Sequence, residues 1–329
     1  MKASLRSSSL LLLGLGAMGL AGCSAADATA TGADGEACDE TYTIGFSHPV
    51  GEADAVKQVK GFAQAHADEV GCVELLLDNT TGSSLESQRQ TIESWVTQGI
   101  DAIVMQPVDP TAFAGLQQQA QEKGIKWLTY SSEMDGRDGS VGFDNELSGK
   151  QIADDVTTWI AATHPEGGIS AAVTTLVSVP VYAGRWEEPI AALDEVGVPI
   201  VSEQECADQT CGLQIAEDAL RENPDLRIFI GLNDSAALGA LKAFEQSAIS
   251  ADEVYIAGQD GAIEALEAIE AGGPYKASAA ILLDELGASI IDNSIAAITG
   301  DGEVDTVTPS VLASLADQAQ LDELKELLK

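Results

Sequence analysis

Positive charge is scarce in this sequence. Its 329 residues carry 16 Lys and Arg against 53 Asp and Glu, which gives a formal net charge of −37. Binding to nucleic acid depends on clustered Lys and Arg that displace counterions from the phosphates. We therefore expect no nucleic-acid partner.

Catalytic signatures are also lacking. The three histidines are His48, His66 and His164, and only His48 follows a predicted strand. The chain has no Gly-x-Ser-x-Gly turn, no Walker loop, no His-Glu-x-x-His and no EF-hand-like loop. We expect no enzyme, no cofactor and no metal, and an exported hydrolase that uses His48 is the enzymatic alternative.

Long apolar runs are missing beyond the first 22 residues, so no other segment predicts a membrane-spanning helix. Residues 1–22 carry Lys2 and Arg6, then an apolar run, and no acid. This pattern is typical of an export signal. The four residues at its end, Leu20-Ala21-Gly22-Cys23, resemble the lipobox of bacterial lipoproteins, in which the cysteine is lipidated.

This similarity predicts a lipoprotein signal peptide over 1–22, lipidation at Cys23 and a flexible tether over 23–40, which is rich in Ala, Thr, Gly and Asp. The protein would be extracytoplasmic and held to the cell membrane by its lipid alone. The alternative is a buried apolar helix with a chance cysteine.

Four further cysteines favour disulfides, because an exported chain with an even count meets an oxidising compartment. Cys38 and Cys72 each lie just before a predicted strand, and Cys206 and Cys211 are five residues apart. We predict the bridges Cys38–Cys72 and Cys206–Cys211. A reduced, metal-binding set is the alternative, although Cys-x4-Cys without a nearby His matches no common zinc spacing.

Strands and helices alternate through the folded part, and the 45% hydrophobic content of the whole sequence is enough for a core. One series predicts strands at 42–47, 73–77, 103–105 and 125–130 with helices at 53–70, 83–98 and 111–123. A second predicts strands at 169–177, 198–201, 226–230, 254–257 and 277–281 and helices at 146–162, 184–196, 211–222, 235–246, 262–271 and 283–299. Such alternation requires parallel sheets, so we predict an α/β fold with two doubly wound lobes.

Polar residues follow many of these strands, at the edge where doubly wound sheets bind ligands. They include His48, Gln106, Asn233 and Asp260. For Asn233, Asp234 and Asp260 the alternative role is helix capping, which does not exclude ligand binding.

Several short sequence segments, taken in order, resemble the ribose-binding-protein-like family of type I periplasmic binding proteins, the substrate-binding proteins of bacterial ABC importers. These segments are 99–107, 124–130, 141–145, 233–241 and 258–261, and the similarity spans roughly residues 41–300. The resemblance implies one ligand between two lobes, with hinge crossings near 143–144, 281–282 and 306–309. Lobe I would comprise 41–143 and 282–308, and lobe II 144–281 and 309–329.

The resemblance also carries the family's ligand contacts onto positions of this chain, which are His48, Glu52, Gln106, Ser131, Ser132, Arg185, Asn233 and Asp260. Arg185, Asn233 and Asp260 keep the residue types of the sugar-binding members. The aromatic residues that commonly sandwich a sugar ring are missing from 48–55 and from Ala207 and Gln259. Trp186, Tyr130 and Tyr182 are possible replacements, although the spacing of Trp186 also fits a core residue.

The expected function is capture of a small sugar or sugar alcohol for an ABC transporter permease by a monomeric protein. Glu52 and Asp54 leave a cationic metabolite open as an alternative ligand, and the same fold also serves for sensing or quorum-signal detection. Sugar-responsive repressors of the lac type share these lobes, but they carry a basic helix-turn-helix where this chain has an export signal.

Overall fold

The computed structural model describes residues 40–328. In that range the strands are Tyr42–Ser47 (β1), Val73–Leu77 (β2), Ala102–Met105 (β3), Lys126–Tyr130 (β4), Gly139–Phe143 (β5), Ser170–Thr175 (β6), Ile200–Glu205 (β7), Leu226–Ile230 (β8), Tyr255–Asp260 (β9), Tyr275–Ile281 (β10), Asp305–Thr308 (β11) and Ser310–Ser314 (β12).

The α-helices of the same range are Asp54–Val70 (α1), Leu85–Gln98 (α2), Pro110–Glu122 (α3), Asn145–Thr163 (α4), Gly184–Glu195 (α5), Gln209–Glu222 (α6), Asp234–Glu245 (α7), Ile263–Glu270 (α8), Leu283–Thr299 (α9) and Gln318–Leu327 (α10). A short 3-10 helix, Pro180–Tyr182, precedes α5.

Two six-stranded sheets organise these elements, in the orders β11-β5-β4-β3-β1-β2 and β12-β10-β9-β8-β6-β7. The first sheet defines lobe I and the second lobe II. In each sheet the chain starts at an inner strand and reverses direction across the sheet, so a crevice opens beside β1 in lobe I and beside β6 in lobe II. The predicted α/β fold with two doubly wound lobes is confirmed.

Each sheet is covered by helices on both faces, because alternate strand residues point to opposite sides. In β3, Ala102 and Val104 pack in the core beneath α1 and α9, whereas Ile103 and Met105 pack beneath α2 and α3. Strands buried on both faces explain the continuous apolar runs in the sequence.

One strand departs from the predicted all-parallel pairing. β12 pairs antiparallel with β10, whereas β11 pairs parallel with β5. β11 ends at the edge of lobe I that faces lobe II, and Pro309 alone separates it from β12. The chain therefore enters lobe II at its facing edge, and β12 must run against its neighbours.

The chain passes between the sheets three times, after Phe143, after Ile281 and after Thr308. All three passages lie at the facing edges of the sheets, where the carboxyl ends of the parallel strands meet. Each lobe is therefore discontinuous in sequence, and three segments of the chain connect the lobes.

Candidate ligand-binding cleft

A cavity of about 200 Å³ lies between the lobes. Four of the predicted site residues line it, and these are His48 from lobe I and Arg185, Asn233 and Asp260 from lobe II. The rest of its lining is Val50, Ala53, Ala55, Val56, Val59, Tyr130, Phe143, Leu176, Tyr182, Ala207, Leu232, Ile281, Leu283 and Leu286. Ligand sites for drug-sized molecules measure ~300–1,000 Å³, so this one fits a small ligand.

His48 is the lobe I residue just beyond β1. It is buried, its Nδ1 accepts a hydrogen bond from the Val50 amide at 3.2 Å, and its ring meets Tyr130 edge-on at 5.7 Å. Burial, with the positive charge of Lys60, lowers the pKa of His48 to about 3. The imidazole is therefore neutral, and because Nδ1 accepts, Nε2 carries the proton and serves as a donor.

A buried polar network fixes the lobe I loops behind His48. Gln88 donates from Nε2 to Ser47 Oγ at 3.0 Å and to the Gln106 carbonyl at 2.7 Å, and its Oε1 accepts from the Val108 amide at 2.8 Å. Ser47 in turn donates to Asp78 at 2.6 Å. These bonds tie the loop after β3 to the carboxyl end of β1.

Gln106 and Ser131 present polar atoms that nothing in residues 40–328 satisfies. Gln106 donates from Nε2 across the cleft to the Tyr182 hydroxyl at 3.1 Å, but its Oε1 is buried without a hydrogen-bond partner. Ser131 follows β4 with a φ of 42°, and its buried Oγ is likewise unpartnered. Unpaired buried polar atoms are costly, so such atoms at a cleft mark positions that a ligand can complete.

Arg185 is the central charged group of lobe II. Its Nε donates to Asn145 Oδ1 at 2.7 Å, and its NH1 donates to Asp260 Oδ1 at 2.7 Å and to the Leu232 carbonyl at 3.3 Å. The guanidinium also lies 5.0 Å from the ring centre of Phe143, within cation–π range. The arginine is therefore locked in one position before any ligand arrives.

The close packing of α4 against α5 brings Arg185 to Asn145. A Cβ on Gly149 would lie 1.9 Å from the Gly184 carbonyl oxygen, and one on Gly184 would lie 2.7 Å from Glu146 Cα. Only glycine at both positions allows this approach. The Gly184-Arg185 step thus sets the guanidinium at the start of α4.

Asp260 lies on a turn that Asp234 holds. Asp260 has a φ of 110°, rare for a residue with a side chain, and Asp234 accepts hydrogen bonds from the Ala262 amide at 2.7 Å, Tyr275 at 2.8 Å and Ser278 at 2.8 Å. Burial, with the nearby Asp260 charge, raises the pKa of Asp234 to about 7. The network fixes the carboxylate of Asp260 towards Arg185.

Asn233 combines capping with a place in the cleft. Its Oδ1 accepts from the Ala236 amide at 2.9 Å as the N-cap of α7, and its Nδ2 donates to the Ala207 carbonyl at 3.0 Å. Ala207 lies inside the loop that the Cys206–Cys211 disulfide closes.

The predicted Cys206–Cys211 bridge is confirmed. Cys72 is disulfide-bonded too, but Cys38 lies outside the described residues, so its pairing stays a prediction.

Five predicted ligand contacts are not part of the cavity lining, namely Gln106 and Ser131, described above, and Glu52, Ser132 and Trp186. Glu52 is exposed, and its carboxylate accepts from the Gly82 amide at 2.8 Å. Trp186 packs in the core between α5 and the sheet of lobe II, and Ser132 is half-buried beside Ser131 without lining the cavity. Neighbouring residues on a helix differ by about 100° in direction, so Arg185 faces the cleft while Trp186 faces the core.

Sequence reasoning did not assign Phe143 or Asn145 to the site. Phe143 ends β5, lines the cavity and stacks on Tyr182 with ring centres 6.1 Å apart, and Asn145 begins α4. Both residues belong to the 141–145 segment that resembles the family, but there we predicted only a hinge crossing. Tyr130 and Tyr182, named as possible aromatic replacements, both line the cavity. No group of acidic, His or Cys residues within 40–328 is arranged to hold a metal ion.

The fold and the cleft together define a two-lobed α/β binding protein that encloses a small ligand between its lobes. A family model described as a periplasmic binding protein domain matches residues 44–302, and the chain belongs to that family. Its members are binding proteins of transporters, and the family implies an extracytoplasmic location. Within the described residues, no helix has the length and apolar character needed to cross a membrane.

Two sugar-binding relatives and one solved structure are similar over most of the chain. The ribose import binding protein RbsB of Bacillus subtilis is 26% identical over 70% of this chain and 73% of its own length. The D-ribose/D-allose-binding protein of Pseudomonas aeruginosa is 28% identical over 67% and 69%. A solute-binding protein of Bacillus halodurans with bound myo-inositol has a TM-score of 0.75 and 21% identity, over 88% of this chain and 99% of that one. This structure supports the fold.

Proposed function

We propose that this protein is an extracytoplasmic lipoprotein that captures a small carbohydrate, a sugar or sugar alcohol, and delivers it to the permease of an ABC transporter. The observation that carries the proposal is the fixed Arg185–Asp260 pair in the cavity lining, together with two unpartnered buried atoms at strand ends of lobe I, Gln106 Oε1 and Ser131 Oγ. Neighbouring hydroxyls donate and accept at once, so they suit such a mixture of donors and acceptors. The ribose-binding relatives support this ligand class.

The ligand contacts in this proposal are His48, Gln106 and Ser131 from lobe I and Arg185, Asn233 and Asp260 from lobe II. The moving units are 41–143 with 282–308 and 144–281 with 309–329. A ligand that contacts both faces favours the closed arrangement by its differential affinity for it. The permease then distinguishes the closed from the open protein.

Calorimetric titration of the purified protein with pentoses, hexoses and sugar alcohols, and with polyamines as the cationic comparison, tests the ligand class. We expect saturable binding by at least one carbohydrate, and NMR should recover that carbohydrate unchanged, since binding without turnover is proposed. Binding by polyamines alone would refute the proposal. Turnover that His48→Ala abolishes would instead favour the hydrolase.

The lipid anchor and the transport role need separate tests. Cys23→Ala should release the protein from the membrane fraction, whereas Cys72→Ala should leave it there. Uptake of the bound carbohydrate should be lost in a deletion strain and restored by the gene. Unimpaired uptake would favour the sensing alternative, and monomeric behaviour is expected in sedimentation.

A further inference from the structure

The cavity has two chemically different sides. The polar side is formed by His48, Asn233, Arg185 and Asp260, together with the two tyrosines. The other side comes from the loop after β1, the first half of α1, the end of β10 and the first turn of α9. Its residues are Val50, Val56, Val59, Ile281, Leu283 and Leu286. These side chains hold no atom that can donate or accept a hydrogen bond.

The charges at the cavity cancel one another. Among the residues that line it, Arg185 and Asp260 are paired at 2.7 Å, and His48 is neutral because burial and Lys60 lower its pKa to about 3. Glu52, considered from the sequence as a partner for a cationic ligand, is exposed and bonded to the Gly82 amide. A charged ligand would leave water for a site that offers it no uncompensated counter-charge.

The apolar side imposes a second condition. A ligand hydroxyl placed against Val56, Leu283 and Leu286 would lose its water and gain no partner, which disfavours binding. A methyl or methylene group at the same place would instead bury apolar surface. The cavity is small, at about 200 Å³, so a ligand that fills it contacts this side as well as the polar side.

We infer that the ligand is a neutral sugar or sugar alcohol with a deoxygenated end, such as the methyl group of a 6-deoxyhexose, and that this end lies against Val56 and Leu283. Its hydroxyls then face Arg185, Asn233, Asp260 and His48. The inference rests on the proposed function and narrows it from carbohydrates in general to deoxy members.

Calorimetric titration with matched pairs tests the inference, each pair a 6-deoxyhexose or 5-deoxypentose and its fully hydroxylated parent. In the pair that binds best, we expect the deoxy sugar to bind about 10- to 100-fold more tightly, since a hydrophobic pocket discriminates against one added hydroxyl by up to about 10². Equal or tighter binding of the parent would overturn the inference and leave the proposed function standing. No binding by any carbohydrate would overturn both.

A matched pair of variants locates the deoxygenated end. Val56→Thr exchanges a methyl for a hydroxyl in the cavity without changing the size of the side chain, and it should reduce the preference for the deoxy sugar several-fold. Val201→Thr makes the same exchange on the outer surface of β7, where Val201 is 38% exposed, and should leave the preference unchanged. Thermal melting confirms that both variants fold. An unaltered preference in a folded Val56→Thr variant would contradict the assignment.

Discussion

The two faces of the cleft are prepared for a ligand in opposite ways. In lobe II, Arg185 and Asn233 already have protein partners, and the positive charge of Arg185 is balanced by Asp260. In lobe I, Gln106 and Ser131 retain buried atoms without partners in residues 40–328. Lobe II therefore contributes a rigid, preformed surface, whereas lobe I contributes bonds still to be made. Substitution of Arg185 in lobe II should affect both stability and binding, whereas substitution of Ser131 in lobe I should affect binding alone.

The largest effect is expected for Arg185→Ala, which leaves Asp260 and Asn145 without their partner. Breaking a buried ion pair costs roughly 3–5 kcal/mol, and because Asp260 is 24% exposed we expect the lower end, with at least a tenfold loss of affinity. Urea denaturation and calorimetry measure the two effects. Arg221→Ala is the control, because the exposed Arg221–Asp218 pair should contribute under about 1 kcal/mol. Equal losses in both variants would contradict a rigid lobe II.

Asp234→Asn tests the network behind Asp260 through pH. The pKa of Asp234 is raised to about 7, so the folded protein binds the carboxyl proton of Asp234 more tightly than the unfolded chain does. The stabilisation of the folded state by this protonated carboxyl is complete below about pH 4 and is lost as the pH rises through about 7. Wild-type protein should lose on the order of 3 kcal/mol of stability relative to the variant between pH 4 and 7. A relative gain over this interval would mean that the hydrogen-bond donors outweigh burial.

Removal of the Cys206–Cys211 bridge should have a smaller effect on stability. Opening a loop of this length costs about 2 kcal/mol, and the freed loop carries Ala207, the partner of Asn233, so affinity should fall several-fold as well. The double Ser variant is measured by thermal melting and calorimetry. Replacing Cys38 and Cys72 by Ser is the comparison, because Cys72 precedes β2 at the end away from the cleft. That change should lower stability and leave affinity unaltered.

Ser131→Ala should have the smallest effect on stability, within about 0.5 kcal/mol, because the hydroxyl has no protein partner to lose. Affinity should nevertheless fall about fivefold or more, as expected for one hydrogen bond to the ligand. Ser170→Ala is a close control, since Ser170 also has an unpartnered buried Oγ but lies at the start of β6. A loss of affinity in both variants would remove Ser131 from the site.

The sequence predicts the long elements well, since β1 to β4 and their helices carry strong apolar patterns. It does not predict β5, β11 and β12. β5 contains two glycines, and β11, Asp305–Thr308, is largely exposed, so pairing with neighbouring strands stabilises them rather than their own composition.

The site is predictable only in part for a related reason. Strand ends identify His48, Gln106, Asn233 and Asp260, because the topology of parallel sheets brings those ends together. The direction of a helical side chain depends on tertiary packing, which is why Trp186 lies in the core. Asn145 and Phe143 gain their roles only when α4 and α5 meet at Gly149 and Gly184.

Phe143 and Ile281, the residues at which two crossings leave their strands, also line the cavity. A bound ligand would thus lie next to the hinge between the lobes rather than near their outer ends. Because the outer ends are farther from the hinge than the ligand is, a rotation that moves the ligand contacts slightly would move the outer ends farther. In the proposed closure, a small displacement at the ligand would therefore correspond to a larger one at the outer ends of the lobes.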